Sequence, residues 1–181
     1  MKLASDEGRT DEKLVAALNA GDSSAFDGLY YRHRNWVLRL ATRFTGNSDD
    51  ALDVLQETFA YLFRKFPGFV LSAKMTTFLY PVVRNLSIAT RKKRTREKDG
   101  EHVGDPAAPP AGPGDDRAEL AVVMAALPEA QREVLLMRFV DGMSLQEIAD
   151  ALAIPEGTVK SRMHNALNAL KADPRVRSYF E

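Results

Sequence analysis

The segment SLQEIADALAIPEGTVKSRMHNALNAL, residues 144–170, decides how the end of this chain folds. Apolar residues recur at helical spacing before Ile154 and again after Pro155, and Ser144 and Glu147 form an S-x-x-E capping box at the start. Pro155 pushes Ile154 out of the helical region and suits an early position of a new helix. The sequence therefore predicts two helices joined by a tight turn.

The second of these helices has a polar, partly basic outer face. Its apolar residues are predicted to pack inward: Val159, Met163, Ala166 and Leu170. The remaining faces carry Thr158, Lys160, Ser161, Arg162 and Asn165. Such a pair matches the helix-turn-helix that enters the DNA major groove. The same pattern also occurs in helical bundles that bind no DNA, so the motif alone leaves both interpretations open.

Charge is segregated along the chain, although 25 Lys and Arg balance 25 Asp and Glu. Residues 84–98 hold seven basic residues and one acid, whereas residues 99–119 hold six acids and one base. Residues 99–118 contain four Pro and four Gly without an apolar period, which is typical of a flexible linker. The sequence predicts one domain over residues 1–98 and a second over residues 119–181.

Helical periodicity runs through the first domain, and no strand-like alternation occurs. Helices are predicted over residues 11–20, from about residue 25 to Gly46, and from Ser48 or Asp49, as N-cap, to the Pro67-Gly68 stop. The third helix is predicted to bury Ala51, Leu52, Leu55, Phe59, Leu62 and Phe66.

A fourth segment leads into the basic run and places Phe78, Val82, Leu86 and Ala89 on one side. Pro81 predicts that this helix either starts late, near Tyr80, or is kinked. A further helix is predicted after Pro128, up to Asp141-Gly142. The expected fold class is all-α, with two small helical domains.

Composition excludes several functional classes. The 181 residues are 45% apolar and contain no cysteine, and the three histidines, His33, His102 and His164, are too scattered for a metal cluster. No spacing suggests a catalytic constellation, a phosphate-binding loop or a cofactor motif. The N-terminus turns charged before any apolar signal region could form, and no apolar run reaches about 20 residues. We expect a cytoplasmic protein without membrane insertion, metal, cofactor or enzymatic activity.

Three sequence motifs occur in order along the two domains. Residues 50–59 match D-A-x-D-x-x-Q-E-x-F, residues 78–85 and 91–94 match a segment like W-L-x-x-I-A-R-N followed by bases, and residues 127–162 contain L-P, E-I-A and G-T-V-K-S-R. In this order and over nearly its whole length, the chain resembles the bacterial sigma factors of the extracytoplasmic-function (ECF) group.

The resemblance implies that this is an RNA polymerase sigma factor that directs core RNA polymerase to promoters and helps to open the DNA strands. It implies that the first domain is similar to sigma region 2, which docks on core polymerase and holds the minus-10 element. The second domain would then be similar to region 4, which binds the minus-35 element. The implied partners are core polymerase, double-stranded promoter DNA and the melted non-template strand, with an anti-sigma factor left open. In the holoenzyme the protein would associate with the nucleoid.

Site residues follow from the resemblance, position by position. Core polymerase docking is implied for Asp50, Asp53, Gln56, Glu57 and Phe59, although charge alone would equally fit a solvated helix face. Minus-10 binding is implied for Phe69, Met75, Arg84, Asn85, Arg91, Lys92, Lys93 and Arg94, with a flipped base captured by the loop over residues 70–77. The basic run could instead only solubilise a helix end, and Phe69 could equally be core.

Minus-35 binding is implied for Thr158, Lys160, Ser161, Arg162, His164 and Asn165. Arg162 could read a guanine edge or clamp a phosphate. Three positions depart from the family pattern: Phe78 replaces a tryptophan, Ala89 stands where Asp or Asn is common, and Asn165 stands where Arg often follows. Phe78 keeps an aromatic anchor, whereas the departures at Ala89 and Asn165 predict an atypical promoter preference.

Two other functions remain as alternatives. One is a sigma-like decoy that binds an anti-sigma protein and never touches DNA, which would need neither the basic run nor the G-T-V-K-S-R helix. The other is a stand-alone helix-turn-helix repressor, which leaves the motif at residues 50–59 without a role.

Overall fold

Eight α-helices form the described part of the chain, residues 8–97 and 116–176 of the computed structural model, and no strand occurs there. Contacts divide the chain into two units, Met1–Val103 and Gly104–Glu181. The helices are α1 Asp11–Asn19, α2 Ala25–Thr45, α3 Ser48–Phe63, α4 Met75–Glu97, α5 Asp116–Ala126, α6 Glu129–Phe139, α7 Leu145–Leu152 and α8 Glu156–Ala172. The all-α fold class is confirmed.

The region predicted as a linker lies largely outside the described residues. Its last part does not: α5 begins at Asp116, three residues before the predicted start of the second domain. Helix α5 was not among the predicted helices, although the Ala-rich apolar sequence before Leu127 favours a helix there. Val123 and Leu127 now belong to the core of the second unit.

In the first unit, α2 packs against α1, α3 and α4. Leu29, Val37 and Leu40 of α2 are fully inaccessible to solvent. Gly46 ends the helix in the left-handed conformation at φ 66°, and its N–H donates to the Thr42 carbonyl. These three residues of α2 thus lie in the core of the first unit.

Helix α3 differs from its prediction in its N-cap residue, in its buried face and in its last residue. Asn47 is the N-cap, because its side chain accepts from the N–H groups of Asp49 and Asp50 at 3.0 Å, so neither Ser48 nor Asp49 caps the helix. Leu52 was wrongly predicted to be core and is 47% exposed, while Val54 is buried instead. Phe66 lies beyond the helix end and is half-buried.

Helix α4 begins at Met75 and continues through Pro81, so the predicted late start is wrong. The buried face is Met75, Leu79, Tyr80, Val83 and Ser87, whereas the predicted face of Phe78, Val82, Leu86 and Ala89 is half-buried or exposed. The first half of this helix is apolar on nearly every side, so periodicity did not determine its rotation.

Asp11, the first residue of α1, ties that helix to α2. Its carboxylate accepts from Arg32 Nη1 at 2.6 Å and lies 2.9 Å from His33 Nε2. Burial raises the pKa of Asp11, but the hydrogen bonds and charges of His33 and Arg32 outweigh burial and hold the pKa below its ordinary 3.8. The ionised carboxylate therefore stabilises the first unit.

Asp11→Asn is expected to lower the free energy of unfolding at neutral pH by about 1 kcal/mol. A carboxyl whose pKa is lower in the folded chain stabilises above its unfolded pKa and loses this contribution as pH falls through the folded value. Wild type should therefore lose this increment below about pH 4, and Asp11→Asn should not. Urea unfolding followed by fluorescence of the single tryptophan, Trp36 in α2, measures the first unit directly.

Asp27→Asn is the matched control, because Asp27 is an exposed acid in the first turn of α2. It should lower stability at neutral pH by no more than about 0.5 kcal/mol, through the helix dipole. The interpretation is wrong if wild type and Asp11→Asn lose stability equally on acidification.

In the second unit, α6, α7 and α8 contact one another. The core includes Leu135, Ala166 and Leu170, with Val176 after α8 also buried. None of the described helices is long and apolar enough to cross a bilayer. Within residues 8–97 and 116–176, no three His, Asp or Glu side chains are grouped to hold a metal ion.

Candidate polymerase and nucleic-acid interfaces

The turn between α7 and α8 is built by local hydrogen bonds. The capping box at the start of α7 is confirmed: Ser144 N–H donates to Glu147 Oε2 at 2.8 Å, and Glu147 N–H donates to Ser144 Oγ at 3.2 Å. Ala153 then adopts the left-handed conformation at φ 53°, and Ile154 N–H donates to the Ala149 carbonyl. Pro155 serves as the N-cap residue of α8, where its missing N–H costs nothing.

Helix α8 buries Val159, Ala166 and Leu170 and leaves its polar residues at the surface. Among the residues with implied minus-35 roles, Thr158 and Arg162 are half-buried, and Lys160, Ser161, His164 and Asn165 are exposed. All six therefore lie outside the core of the second unit, on the helix that follows the turn.

Three of these side chains already have partners on α8. Lys160 Nζ lies 2.7 Å from Glu156 Oε1, Ser161 Oγ donates to the Gly157 carbonyl at 2.9 Å, and His164 Nε2 lies 2.9 Å from Asn168 Nδ2. Within residues 116–176, no hydrogen bond or ion pair engages the guanidinium of Arg162. Arg162 thus retains all of its donors for a ligand.

In the first unit, Asp53, Gln56 and Glu57 form the exposed acidic face of α3, called here the acidic face. A groove of about 590 Å³ runs between this face and α4, with an apolar floor; its lining residues are Asp53, Val54, Gln56, Glu57, Ala60, Leu86, Ala89, Thr90 and Lys93. Leu52 is exposed on the same helix. This surface combines two carboxylates with uncovered apolar area.

Phe59 does not belong to that surface. It is only 4% exposed, and its ring packs edge-on against Phe26 and Tyr30 of α2 at centroid distances of 6.2 and 4.8 Å. The docking role implied for Phe59 is corrected to a core role, because the residue faces α2 rather than solvent.

An ion pair joins the two sets of residues implied for polymerase and for DNA. Arg94 Nη1 donates to Asp50 Oδ2 at 2.9 Å, so the last turns of α4 are bound to the start of α3. Arg91 Nη1 lies 3.5 Å from the Phe44 carbonyl near the end of α2. Asp50 and Arg94 are therefore already paired with each other. Part of the basic run thus stabilises the domain by joining α4 to α3.

A double-mutant cycle of Asp50→Asn and Arg94→Ala is expected to give a coupling energy of about 0.5–1 kcal/mol, because both side chains are partly solvated. Trp36 fluorescence in urea measures this coupling energy.

Arg94→Ala should reduce the salt dependence of DNA binding less than Lys92→Ala, because Lys92 is exposed on the same helix. Equal reductions would show that Arg94 contacts phosphate.

The aromatic and methionine residues implied for base stacking are buried. Phe69 is 9% exposed, with its ring 5.5 Å from Phe66 and 4.7 Å from Phe78, and Met75 is 1% exposed at the start of α4. Both are corrected to core residues. The loop is also shorter than predicted, since α4 begins at Met75, and its accessible part is residues 70–74, with Val70 80% exposed.

The other residues implied for the minus-10 element lie along α4. Asn85, Arg91, Lys92 and Lys93 are exposed, and Arg84 is half-buried with an interaction partner. Lys93 lines the groove opposite the acidic face. Only part of this set is therefore placed to meet a nucleic acid without competing contacts inside the domain.

Sequence reasoning missed Asn19 at the end of α1. Its side chain bonds to the backbone of Gly68 and Phe69, 49 and 50 residues further along the chain. Locally, an Asn before Ala20-Gly21 looks only like part of a helix end, so no sequence signal pointed to this contact.

Family models match both units. Residues 29–97 match "Sigma-70 region 2" and residues 117–170 match "Sigma-70, region 4". The chain is 31% identical over 160 residues to the ECF RNA polymerase sigma factor SigM of Mycobacterium tuberculosis, covering 87% of this chain and 81% of that protein. It is 30% identical over 176 residues to the RNA polymerase sigma-H factor of Pseudomonas aeruginosa, covering 88% and 91%. The ECF RNA polymerase sigma factor SigW of Bacillus subtilis is 29% identical, covering 91% and 96%.

Solved structures show the same fold. The sigma factor RpoE of Bartonella quintana, solved in complex with the anti-sigma factor NepR, is 25% identical with a TM-score of 0.63 over 81% of this chain and 94% of that one. CnrH, solved with the cytosolic domain of CnrY, has a TM-score of 0.67 at 23% identity over 90% and 95%. The region 2 model matches the first unit, the region 4 model matches the second, and the relatives are matched over most of their length. This chain therefore belongs to the ECF RNA polymerase sigma factors of the sigma-70 family.

Proposed function

We propose that this sigma factor binds core RNA polymerase through its first domain and selects promoters through both domains. The first domain, residues 1–98, would dock and hold the minus-10 element, and the second, residues 119–181 with α5 added at its start, would bind the minus-35 element. The observation that carries this proposal is the exposed acidic face on one unit together with the exposed polar face of a helix-turn-helix on the other.

Docking is assigned to Asp53, Gln56 and Glu57. These three side chains are exposed, lie on successive turns of α3 and border a groove with an apolar floor. Such a surface suits a helical partner that carries basic residues beside apolar ones. Asp50, three residues earlier in α3 than Asp53, already binds Arg94 and does not line the groove.

DNA contact in the first domain is assigned to Asn85, Lys92 and the accessible loop, residues 70–74. Lys92 is exposed on a helix whose end is strongly basic, which favours phosphate oxygens by releasing counterions. The loop is the accessible part of the proposed minus-10 surface, where its own side chains would contact an unstacked base. Double-stranded DNA and the melted non-template strand are thus the proposed ligands of this surface.

DNA contact in the second domain is assigned to α8. Arg162 has uncommitted donors that match the O6 and N7 acceptors of guanine, while Lys160 and Ser161 already have partners on the same helix. We therefore assign base recognition mainly to Arg162, with Thr158 and Asn165 beside it. His164 would act together with Asn168.

We further propose that an anti-sigma factor controls this protein in the cytoplasm. The support is the structure of RpoE, a sigma factor of the same fold, in complex with the anti-sigma factor NepR. The chain would carry no enzymatic activity of its own, since bond formation belongs to the polymerase, and it needs no cofactor.

One experiment tests the proposed function. Core RNA polymerase is captured on the tagged protein, and the resulting complex transcribes a library of genomic fragments. Capture of polymerase together with start sites that share two spaced elements supports the proposal. A decoy would give no promoter-dependent transcripts, and a stand-alone repressor would bind DNA without capturing polymerase.

A further inference from the structure

One side chain at the end of α1 holds the loop between α3 and α4. Asn19 Oδ1 accepts from Gly68 N–H at 2.7 Å and from Phe69 N–H at 3.2 Å, and Asn19 Nδ2 donates to the Phe69 carbonyl at 2.8 Å. Gly68 has a φ of 100°, a conformation that favours glycine and turns both N–H groups toward the same acceptor. A single amide therefore sets the backbone position of two consecutive loop residues.

The accessible loop, residues 70–74, starts directly after this contact. Phe69 is anchored by its ring as well as by its backbone, and Met75, after the loop, is buried at the start of α4. Between these anchors Val70 is 80% exposed. Five residues with both ends held span only a narrow range of positions, so moving the first anchor moves the segment.

Helix α1 is itself held firmly and can serve as a support. Leu14 and Leu18 are buried, and Asp11 at the opposite end of the helix is bound to Arg32 and His33 of α2. The packing of α1 in the first unit thus fixes the position of Asn19. Its three hydrogen bonds in turn fix the backbone of Gly68 and Phe69 at the start of the loop.

We propose that Asn19 is a positioning residue for minus-10 recognition: it places residues 70–74 where they discriminate one base of the melted strand. The inference rests on the proposed function of the loop. Hydrogen bonds and close apolar contacts to a base weaken steeply with displacement, so a loop released by about 1 Å keeps its contact with DNA but loses its preference. Asn19 acts through the backbone of Gly68 and Phe69 and touches no DNA itself.

The test uses full-length variants assembled with core polymerase. Asn19→Ala removes all three hydrogen bonds while Ala favours the helix, so α1 should still form. Asn19→Asp keeps an acceptor for the two N–H groups and loses the donor to the Phe69 carbonyl. Asn35→Ala makes the same chemical change on the exposed side of α2 and is the matched control.

Affinity is measured for promoters that differ by single bases in the minus-10 and minus-35 elements. Discrimination at a recognised base pair is about 5- to 150-fold for wild type. Asn19→Ala should reduce this ratio toward unity at one or two minus-10 positions, with Asn19→Asp intermediate. Discrimination at minus-35 positions, affinity for core polymerase and the behaviour of Asn35→Ala should stay at wild-type values.

Two results would overturn the inference. One is Asn19→Ala with wild-type discrimination at every minus-10 position. The other is an equal loss across all promoter variants together with a lower unfolding midpoint by Trp36 fluorescence, since that would assign Asn19 to stability alone. Wild type without any minus-10 preference would overturn the proposed function of the loop itself, and so is distinguishable from both.

Discussion

Asp53→Arg combined with Glu57→Arg is expected to abolish association with core RNA polymerase while the first domain remains folded. Both carboxylates are exposed on α3 and border the groove with the apolar floor, so reversal turns an attractive acidic face into a repulsive basic one. Like charges brought together at an interface cost several kcal/mol, which at about 1.4 kcal/mol per tenfold amounts to more than a hundredfold in affinity.

Stability should change by only about 0.5 kcal/mol, because neither side chain packs in the core. Binding to tagged core polymerase measures the affinity, and Trp36 fluorescence in urea measures the folding of the same domain. Glu12→Arg with Asp27→Arg makes an identical change of charge on exposed first-turn acids of α1 and α2 and serves as the control.

The control pair should cost up to about 1 kcal/mol of stability through the helix dipoles, but it should leave polymerase binding intact. If Asp53→Arg with Glu57→Arg still co-purifies with polymerase, or if the control pair also fails to bind, docking is not a property of the acidic face of α3.

The second large effect is expected on α8, where Arg162→Ala should cost about 1–3 kcal/mol at the preferred minus-35 sequence and flatten preference at a single base position. The reason is that its guanidinium has no partner within residues 116–176 and lies on the helix after the helix-turn-helix turn. The affinity of the holoenzyme for a set of single-base promoter variants, measured at several salt concentrations, gives the result.

Lys92→Ala is the matched comparison, because Lys92 is exposed in the basic run of α4. It should weaken binding to every promoter by a similar factor and lower the salt slope by about one, since one fewer counterion is released. Lys93 is less suitable, because it lines the groove opposite the acidic face. A uniform loss with a lower salt slope for Arg162→Ala would make that residue a phosphate contact.

Features that depend on neighbouring residues were readable from the sequence. The capping box of Ser144 and Glu147, the helix stop at Gly46 and the restart after Pro155 all rest on interactions within about five residues, and the structure contains each of them. The helix-turn-helix and the helical fold class follow from such local rules together with the apolar period.

Features that depend on which helix face meets a neighbour were decided only by the tertiary structure. Helix α3 has apolar residues on two overlapping stripes, and packing against α2 and α4 buried Val54 rather than Leu52. The same degeneracy hid the rotation of α4, including the burial of Met75. The burial of Phe69, which lies in the loop before α4, depends on ring contacts with Phe66 and Phe78. A helix that is apolar over most of its circumference can bury several faces at similar gain, so only the shape of its neighbours selects one.

The contacts that refine the functional surfaces are the most distant in sequence. Asp50 meets Arg94 across 44 residues, and Asn19 meets Phe69 across 50. The residues and their family motifs identified this chain as a sigma factor with an acidic stretch on α3 and a basic run at the end of α4. Which of those charges remain available to partners, and which side chain holds the loop, was settled by folding, because hydrogen bonds between helices depend on distances that no local pattern encodes.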